Sequence, residues 1–280
     1  MVTPPDEREE LVRLGVKPSL KQYLRDVWSK RDFTTTGSFG DLRAQHMNTL
    51  FGGIWHLLNP LLLAAVYYLI FGIIFDAADR DGHSYAAFLV TGIFVFHYTS
   101  KAMGAGSRTV ISNLTLIQNL QFPRVVLPLA AVFTEAVAQV PAVLLMLLLV
   151  VTTEGAPSLV WLLVVPAFLL QSLFNFGLAL VTSRLTFHFR DTQQLLPYVT
   201  RLWLYLSGVF YGLERIPEGW PRTLFQLNPL HAFIDLNRQI LLEHTLDLRS
   251  AVLATTWAVL GALIGFWFFR AKEVDYGRGY

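Results

Sequence analysis

Long apolar runs separated by short polar segments dominate the pattern of this 280-residue chain. A bilayer core about 30 Å thick needs roughly 20 helical residues at 1.5 Å each. The runs that approach or exceed this length are residues 54–75, 85–107, 127–152, 159–182, 195–213 and 252–269. The pattern therefore predicts an all-α polytopic membrane protein with six transmembrane helices inside a domain of residues 54–270.

An amphipathic pattern precedes the first run. After Ser19, a suitable N-cap, apolar residues recur at helical spacing: Leu20, Tyr23, Leu24, Val27 and Trp28. Lysine and arginine occupy much of the remaining surface, which is typical of a helix lying in the membrane interface. A helix packed on protein is the alternative.

Residues 214–250 are too apolar for a solvated loop and carry several arginines. Neither piece between the prolines of this region is long enough to cross a bilayer. Irregular backbone at membrane depth is tolerated only where protein buries it or a cavity lines it. The region is therefore predicted to form two short re-entrant helices in the outer leaflet.

The distribution of lysine and arginine predicts the orientation, because cytoplasmic loops are enriched in both. Eight lysine and arginine residues precede the first run: Arg8, Arg13, Lys17, Lys21, Arg25, Lys30, Arg31 and Arg43. The loop after the first run holds only Arg80, and the loop after the third holds none. We expect a cytoplasmic and interfacial segment of residues 1–53, a cytoplasmic tail of residues 271–280, and insertion in the plasma membrane.

The amino-acid composition limits the partners and the kinds of site that this chain can have. The chain is 54% hydrophobic and only 15% charged, and its net charge of +2 gives no reason to expect nucleic acid as a partner. It has no cysteine, no Gly-Lys dipeptide and no H-x-x-x-H pattern. A P-loop is therefore excluded, and no metal or catalytic site is predicted. Any ATP chemistry must lie on another polypeptide.

A short semi-polar segment joins the second and third runs on the predicted cytoplasmic side. Leu116, Ile117 and Leu120 form a helical stripe among asparagines and glutamines. Pro123 is expected to end this helix, because the residue before proline is disfavoured in the α region. We interpret the segment as the point where a separate motor acts. An ordinary connecting loop is the alternative.

Four strings in order along the chain resemble the membrane subunit of ABC-2-type exporters, especially the polysaccharide-exporting Wzm branch. They are the stretch 50–61 with Trp55 and Asn59-Pro60; Asn113, Leu116-Ile117, Phe122-Pro123-Arg124 and Leu127-Pro128; Phe189-Arg190-Asp191; and Ile216-Pro217, Leu227-Asn228-Pro229-Leu230 and Arg238. Together they span roughly residues 41–270. Gln45-His46 departs from the basic-aromatic pair usual in the family. Within the branch, the chain most resembles actinobacterial exporters of cell-wall galactan.

The resemblance implies a homodimer around a pore, with one ATPase subunit beneath each copy. ATP and Mg would bind to the ATPase, and this chain would carry no cofactor. The resemblance also implies a coupling helix in residues 113–124, formed by Asn113, Leu116, Ile117, Leu120, Phe122, Pro123 and Arg124. The outer gate would lie in residues 214–250 and include Ile216, Pro217, Asn228, Pro229 and Arg238.

Aromatic residues make up 14% of the chain, and sugars stack on aromatic rings. The candidate pore residues are Tyr67, Tyr68, Phe71, Phe96, Tyr98, Trp203, Tyr205, Phe210 and Tyr211, together with Lys101 for substrate phosphates. Ordinary interfacial aromatics, and snorkelling of cations such as Arg108 and Arg201 to headgroups, are the alternatives. Glu135 and Gln139 are expected to form interhelical hydrogen bonds rather than a proton relay.

The sequence therefore predicts the permease of an ATP-driven exporter that moves a lipid-linked polysaccharide, such as galactan, outward across the cytoplasmic membrane. Its expected partners are a second copy, two ATPase subunits, the lipid-linked glycan and membrane lipid. An ABC-2 exporter of drugs or small lipids is the nearest alternative. A membrane-embedded glycosyl- or acyltransferase should show an acidic pair or a histidine–carboxylate set, and a secondary transporter should show internal repeats. Neither feature is evident.

Overall fold

The computed structural model describes residues 19–30, 54–74, 83–120, 122–273 and 276, without the side chains of Leu24, His56 and Phe71. The α-helices in these residues are α1 Leu20–Ser29, α2 Trp55–Tyr67, α3 Tyr85–Ser112, α4 Leu114–Asn119, α5 Val126–Glu154, α6 Val164–His188, α7 Thr192–Leu206, α8 Trp220–Gln226, α9 Pro229–Arg238 and α10 Leu248–Ala271. Helices α2 and α9 continue as π-helical turns, Tyr68–Ile74 and Gln239–Glu243, and a 3₁₀ turn, Leu159–Leu163, leads into α6. The chain is an all-helical membrane protein.

Within the described residues, four helical stretches are long and apolar enough to cross a membrane. They are Leu57–Ile74, Val126–Glu154, Leu159–His188 and Leu248–Ala271. All four coincide with runs predicted from the sequence. The run that begins at Tyr85 forms the 28-residue helix α3, whose second half is diluted by polar residues. The remaining run forms α7, which has only 15 residues.

Helix α7 is shorter than its apolar pattern predicts. The prediction of helix to residue 213 is wrong, because α7 ends at Leu206. Gly208 follows with φ +72°, and an added Cβ there would lie 2.5 Å from the Phe225 ring. This left-handed turn, which favours glycine, redirects the chain. Phe210 and Tyr211 therefore lie in a turn rather than on the fifth helix.

The main core lies around α6, which packs on α3 and on α10, while α5 also packs on α3. Side-chain amides connect these apolar helices to the carbonyl groups of their neighbours. Gln171 Nε2 donates to Val95 O at 2.7 Å and to Thr99 Oγ1 at 2.9 Å. Gln139 Nε2 donates to Phe94 O at 3.2 Å, which confirms the predicted interhelical role of this residue. Such bonds satisfy polar groups that lipid could not.

Helices α6 and α10 approach each other closely at three glycines. A Cβ built on Gly177 would lie 2.1 Å from the carbonyl oxygen of Gly261, and one on Gly265 would lie 2.3 Å from that of Gly177. Both contacts are with backbone, which cannot move aside as a flexible side chain can. The pair Gly261 and Gly265 therefore packs within the chain, as small residues do between membrane helices.

The helix bundle has two ends that carry different elements. The α4 end holds α1, α4 and the C-terminal end of α10, where Tyr276 packs on Phe187. The α9 end holds α8, α9 and the loop between α5 and α6. At this end the His83 ring pairs with Glu154 at 2.8 Å, which joins the start of α3 to the end of α5.

Substitution of Gly177 or Gly265 by alanine should force α6 and α10 apart. We expect a loss of about 1–3 kcal/mol in the free energy of unfolding, the usual cost of overpacking. Thermal unfolding of the purified chain in lipid nanodiscs measures this. Gly104→Ala is the matched control, because a Cβ on Gly104 meets nothing within 4 Å. Equal unfolding temperatures for all three variants would contradict the packing role.

Candidate functional site

The segment predicted to couple to a motor forms a short helix at the α4 end. Helix α4 follows α3 almost without interruption, and Asn113 at the junction donates from Nδ2 to Thr109 O at 2.8 Å. Ile117 points inward and is 3% exposed, whereas Leu120 is 56% exposed. The segment thus has one anchored side and one free apolar side chain.

Two details of the predicted coupling helix are wrong. The helix ends at Asn119, and Leu120 already has extended backbone, so Pro123 does not terminate it. Leu120 therefore lies outside the helix and does not belong to a helical stripe with Leu116 and Ile117. Phe122, Pro123 and Arg124 are half-buried and form the bend that leads into α5.

Apolar side chains from distant parts of the chain form a core beneath this segment, which we call the α4-end cluster. Its buried members are Tyr23, Val110, Ile117, Val125, Leu127, Leu180, Phe187, Phe269 and Tyr276. They come from α1, α3, α4, the start of α5, α6 and the C-terminal end of the chain. The α4 segment is therefore packed against a core that includes both α1 and the C-terminal residues.

One carboxylate oxygen joins three of these segments. Glu273 Oε1 accepts from the Tyr23 hydroxyl at 2.7 Å and from the Arg124 backbone N–H at 2.8 Å. The Tyr23 ring packs edge-on against Phe266 at 6.0 Å, and the Arg270 guanidinium lies 5.0 Å from its centroid. Burial, aided by the Glu273 carboxylate, raises the pKa of Tyr23, so its hydroxyl remains a donor.

Helix α1 begins after Ser19, as predicted, and the Ser19 side chain accepts from Gln22 N at 3.3 Å. The apolar residues of α1 do not all face the rest of the chain. Tyr23 is buried and Val27 is half-buried against the chain, while Leu20 and Trp28 are exposed. One helix can therefore pack on the protein and still present apolar side chains outward.

Sequence reasoning did not find Glu273. Its partners lie 149 and 250 residues away, and its neighbours show no periodic pattern that distinguishes it from an ordinary charged tail. Only its position just after the last apolar run, beside Arg270 and Lys272, offers a weak signal.

At the α9 end, Asn228 connects two helices. Its Oδ1 accepts from Leu230 N at 3.1 Å, which caps α9, and from Trp203 Nε1 on α7 at 3.0 Å. Its Nδ2 donates to Leu206 O at 2.9 Å, at the end of α7. Pro229 occupies the first turn of α9, where its missing N–H has no cost. The Asn-Pro pair thus both starts α9 and attaches it to α7.

Arg238 holds the other end of α9. It is 6% exposed, and its guanidinium donates to the carbonyl oxygens of Phe88, Gly208 and Val209 at 2.9–3.3 Å. The guanidinium carbon also lies 3.3 Å from the Phe88 ring centroid. A Cβ on Gly92 would approach Arg238 Nη2 to 2.7 Å, so this glycine leaves room for the side chain. Arg238 thereby fixes α9 to α3 and to the turn after α7.

The predicted pore residues do not share one environment within the single chain. Phe96, Tyr98 and Phe210 are buried in it; Tyr67, Trp203 and Tyr211 are half-buried; Tyr68, Lys101 and Tyr205 are exposed; and the Phe71 side chain lies outside the described part. Three of the aromatics form one group, in which the Phe210 ring centroid lies 4.4 Å from that of Tyr67 and 5.4 Å from that of Tyr205. Of the gate residues, Ile216 is half-buried and Pro217 is exposed.

Comparison with known proteins identifies the family. The model of the ABC-2 type transporter family matches residues 42–242, which include α2 to α9 and most of the π-helical turn after α9. The chain belongs to the ABC-2 type transporter family. This ABC-2 chain is 26% identical over 239 residues to the O-antigen export system permease protein RfbA of Klebsiella pneumoniae, a match that covers 85% of the chain and 91% of that protein.

Two further relatives extend the comparison. The RfbA permease of Myxococcus xanthus is 25% identical over 232 residues, covering 82% of the ABC-2 chain and 88% of that protein. The capsule polysaccharide export inner-membrane protein CtrC of Neisseria meningitidis is 24% identical over 187 residues, a match that covers 64% of the ABC-2 chain and 68% of that protein. The names of both relatives describe proteins of export systems.

Glu273→Ala should loosen the α4 end of the ABC-2 chain, because it removes the acceptor shared by Tyr23 and Arg124. We expect the Arg124 amide to exchange with solvent at least tenfold faster, equivalent to about 1–2 kcal/mol of lost protection. Hydrogen exchange measured by mass spectrometry tests this. Glu273→Gln keeps an acceptor and is the matched control. Unchanged exchange in the alanine variant would show that the shared oxygen has no such role.

Arg238→Met should leave the carbonyl groups of Phe88, Gly208 and Val209 without this donor. A loss of about 2–4 kcal/mol in the free energy of unfolding is expected, and Arg238→Lys should lose less because a cation and donor remain. Arg215→Met, at an exposed arginine of the same end, serves as control. If the Arg238 and Arg215 variants unfold at the same temperature, the anchoring role is wrong.

Proposed function

We propose that this chain is the permease subunit of an ATP-driven exporter that moves a lipid-linked polysaccharide outward across the cytoplasmic membrane. The match to an O-antigen export permease over 85% of the chain carries this conclusion. The capsule export relative supports the same substrate class. Galactan, as a particular cargo, stays a prediction from the sequence.

The energy source is proposed to be a separate ATPase, since the chain has no P-loop. Residues 113–124 form the proposed docking element. The exposed side chain of Leu120 offers an apolar contact, while the buried Ile117 and the Glu273 bonds support the segment from behind. A motor that pushes on such a supported segment moves the helices attached to it rather than a loose loop. ATP and Mg would bind to the ATPase.

The proposed topology has six spans. In this proposal helices α3 and α7 span the membrane together with the four strongly apolar stretches, and the α4 end and both termini lie on the cytoplasmic side. The lysine and arginine distribution supports this orientation. Helices α8 and α9 would then be the re-entrant outer helices. In this arrangement residues 1–53 and 271–280 flank a transmembrane domain of residues 54–270.

A homodimer is proposed to enclose the pore. Helices α2 and α7 present broad apolar surfaces that no described part of the chain covers. The exposed residues are Leu62, Val66 and Leu69 on α2 and its π turn, and Leu195, Tyr198, Val199, Leu202, Tyr205 and Leu206 on α7. A second copy and lipid would share these surfaces. Among the candidate pore residues whose side chains the structure describes, Tyr68, Lys101 and Tyr205 are exposed on the single chain.

The docking proposal predicts that Leu120→Glu abolishes co-purification with the ATPase and export of the lipid-linked polysaccharide in cells. The substitution places a charge on an exposed apolar contact, so the fold of the chain should persist. Leu246→Glu is the control, because Leu246 is similarly exposed in a loop of the α9 end. Normal export by the Leu120 variant, or loss of export in both variants, would contradict docking at residues 113–124.

A further inference from the structure

A polar cavity at the α9 end has no role in the function described so far. Its volume is about 560 Å³, within the range of small-molecule sites. It lies between α9 with its π turn, the start of α10 and the start of α3. In the proposed topology it opens on the outer side of the membrane.

A rigid hydrogen-bond network forms one wall of this cavity. Asp235 Oδ2 accepts from Ser250 Oγ at 2.8 Å and from Gln239 Nε2 at 2.9 Å. Gln239 Oε1 in turn accepts from Asp247 N at 3.1 Å. The second oxygen of Asp235, Oδ1, accepts no hydrogen bond from any described residue. The network therefore holds the carboxylate in place and leaves one of its oxygens to a ligand.

His231 supplies a second unused acceptor in the cavity lining. The residue is 9% exposed, and its Nδ1 has no hydrogen-bond partner among the described residues. Burial lowers the pKa of His231, so the ring is neutral, and it packs on Phe225 at 4.4 Å between centroids. A buried acceptor without a donor costs about 1–3 kcal/mol. Nδ1 itself has almost no exposed surface, so a ligand hydroxyl would recover this cost after a small rotation of the ring.

The charge of the lining narrows the ligand class. The carboxylates of Glu214, Asp235, Glu243 and Asp247 outnumber the guanidinium groups of Arg238 and Arg249. The donors of Arg238 are also directed to backbone carbonyls. An anion such as a phosphate would be repelled, and a lipid chain would leave the polar wall unsatisfied. Hydroxyl groups fit, because each can donate to these acceptors without carrying a charge.

We infer that this cavity binds an uncharged sugar unit, with Asp235 and His231 as its principal acceptors. The identity of the ligand rests on the proposed function, in which a polysaccharide leaves the pore on this side. A site here would hold the emerging glycan on the outer face, separate from the aromatic candidates near the pore. The Asp235 network also links this site to α10, since Ser250 is a residue of that helix.

The test uses the full chain in lipid nanodiscs and two probes, methyl β-D-galactopyranoside and methyl α-D-mannopyranoside. Saturation-transfer NMR should detect at least one of them with a dissociation constant on the order of 1 mM, as befits a single sugar unit. Asp235→Asn turns the free acceptor into a donor, and His231→Phe removes Nδ1 while keeping the ring on Phe225. Each should weaken binding at least tenfold, and His231→Asn should restore part of it.

Glu218→Gln, at an exposed carboxylate of the same end, should bind like the unchanged chain. The inference is overturned if neither sugar binds, if both cavity variants bind normally, or if spermidine or calcium displaces the sugar completely and so marks a cation site. Export of polysaccharide in cells is measured in parallel. Normal export without sugar binding refutes this inference alone, whereas sugar binding without polysaccharide export refutes the proposed function.

Discussion

The close approach of α6 and α10 at Gly177 is the contact on which the rest of the structure depends. Because the two backbones nearly touch there, α10 is held along α6 and reaches both ends of the bundle at defined positions. Ser250 near its start contributes to the Asp235 network, and Glu273 just beyond its end binds Tyr23 and Arg124. One helix therefore connects the proposed motor-docking end with the proposed outer cap.

Polar groups at membrane depth impose a second constraint, because lipid offers no hydrogen-bond partners. Serine and threonine hydroxyls mostly bond to carbonyls of their own helix, as Thr91 does to Ala87, whereas longer side chains reach carbonyls of neighbouring helices, as Gln171 does to Val95 and Gln139 to Phe94. Arg238 applies the same solution to a cation, with three carbonyls as acceptors. These bonds are directional, so they fix the rotation of each helix as well as its distance. Helices joined in this way would move as units, as the proposed transport by a shift between two arrangements requires.

Much of the fold was predictable from local pattern. Four apolar runs became long helices close to their predicted limits, since length and hydrophobicity suffice to place a span. Ser19 and Asn228-Pro229 begin helices because caps act on their own first turn. The predicted limits were wrong in two places. The chain turns at Gly208 just after α7, which ends early, and the coupling helix stops at Asn119 rather than at Pro123.

The amino-acid pattern alone thus predicted a helical membrane chain without a P-loop, and it located the α4 segment between two apolar runs. The three-dimensional packing established what supports that segment and what closes the other end. Glu273 binds Arg124 across 149 positions, and Arg238 binds Phe88 across 150. Helical periodicity reports only which residues share a face within a few turns. Contacts of such range depend on how whole helices pack, and no local pattern contains that information.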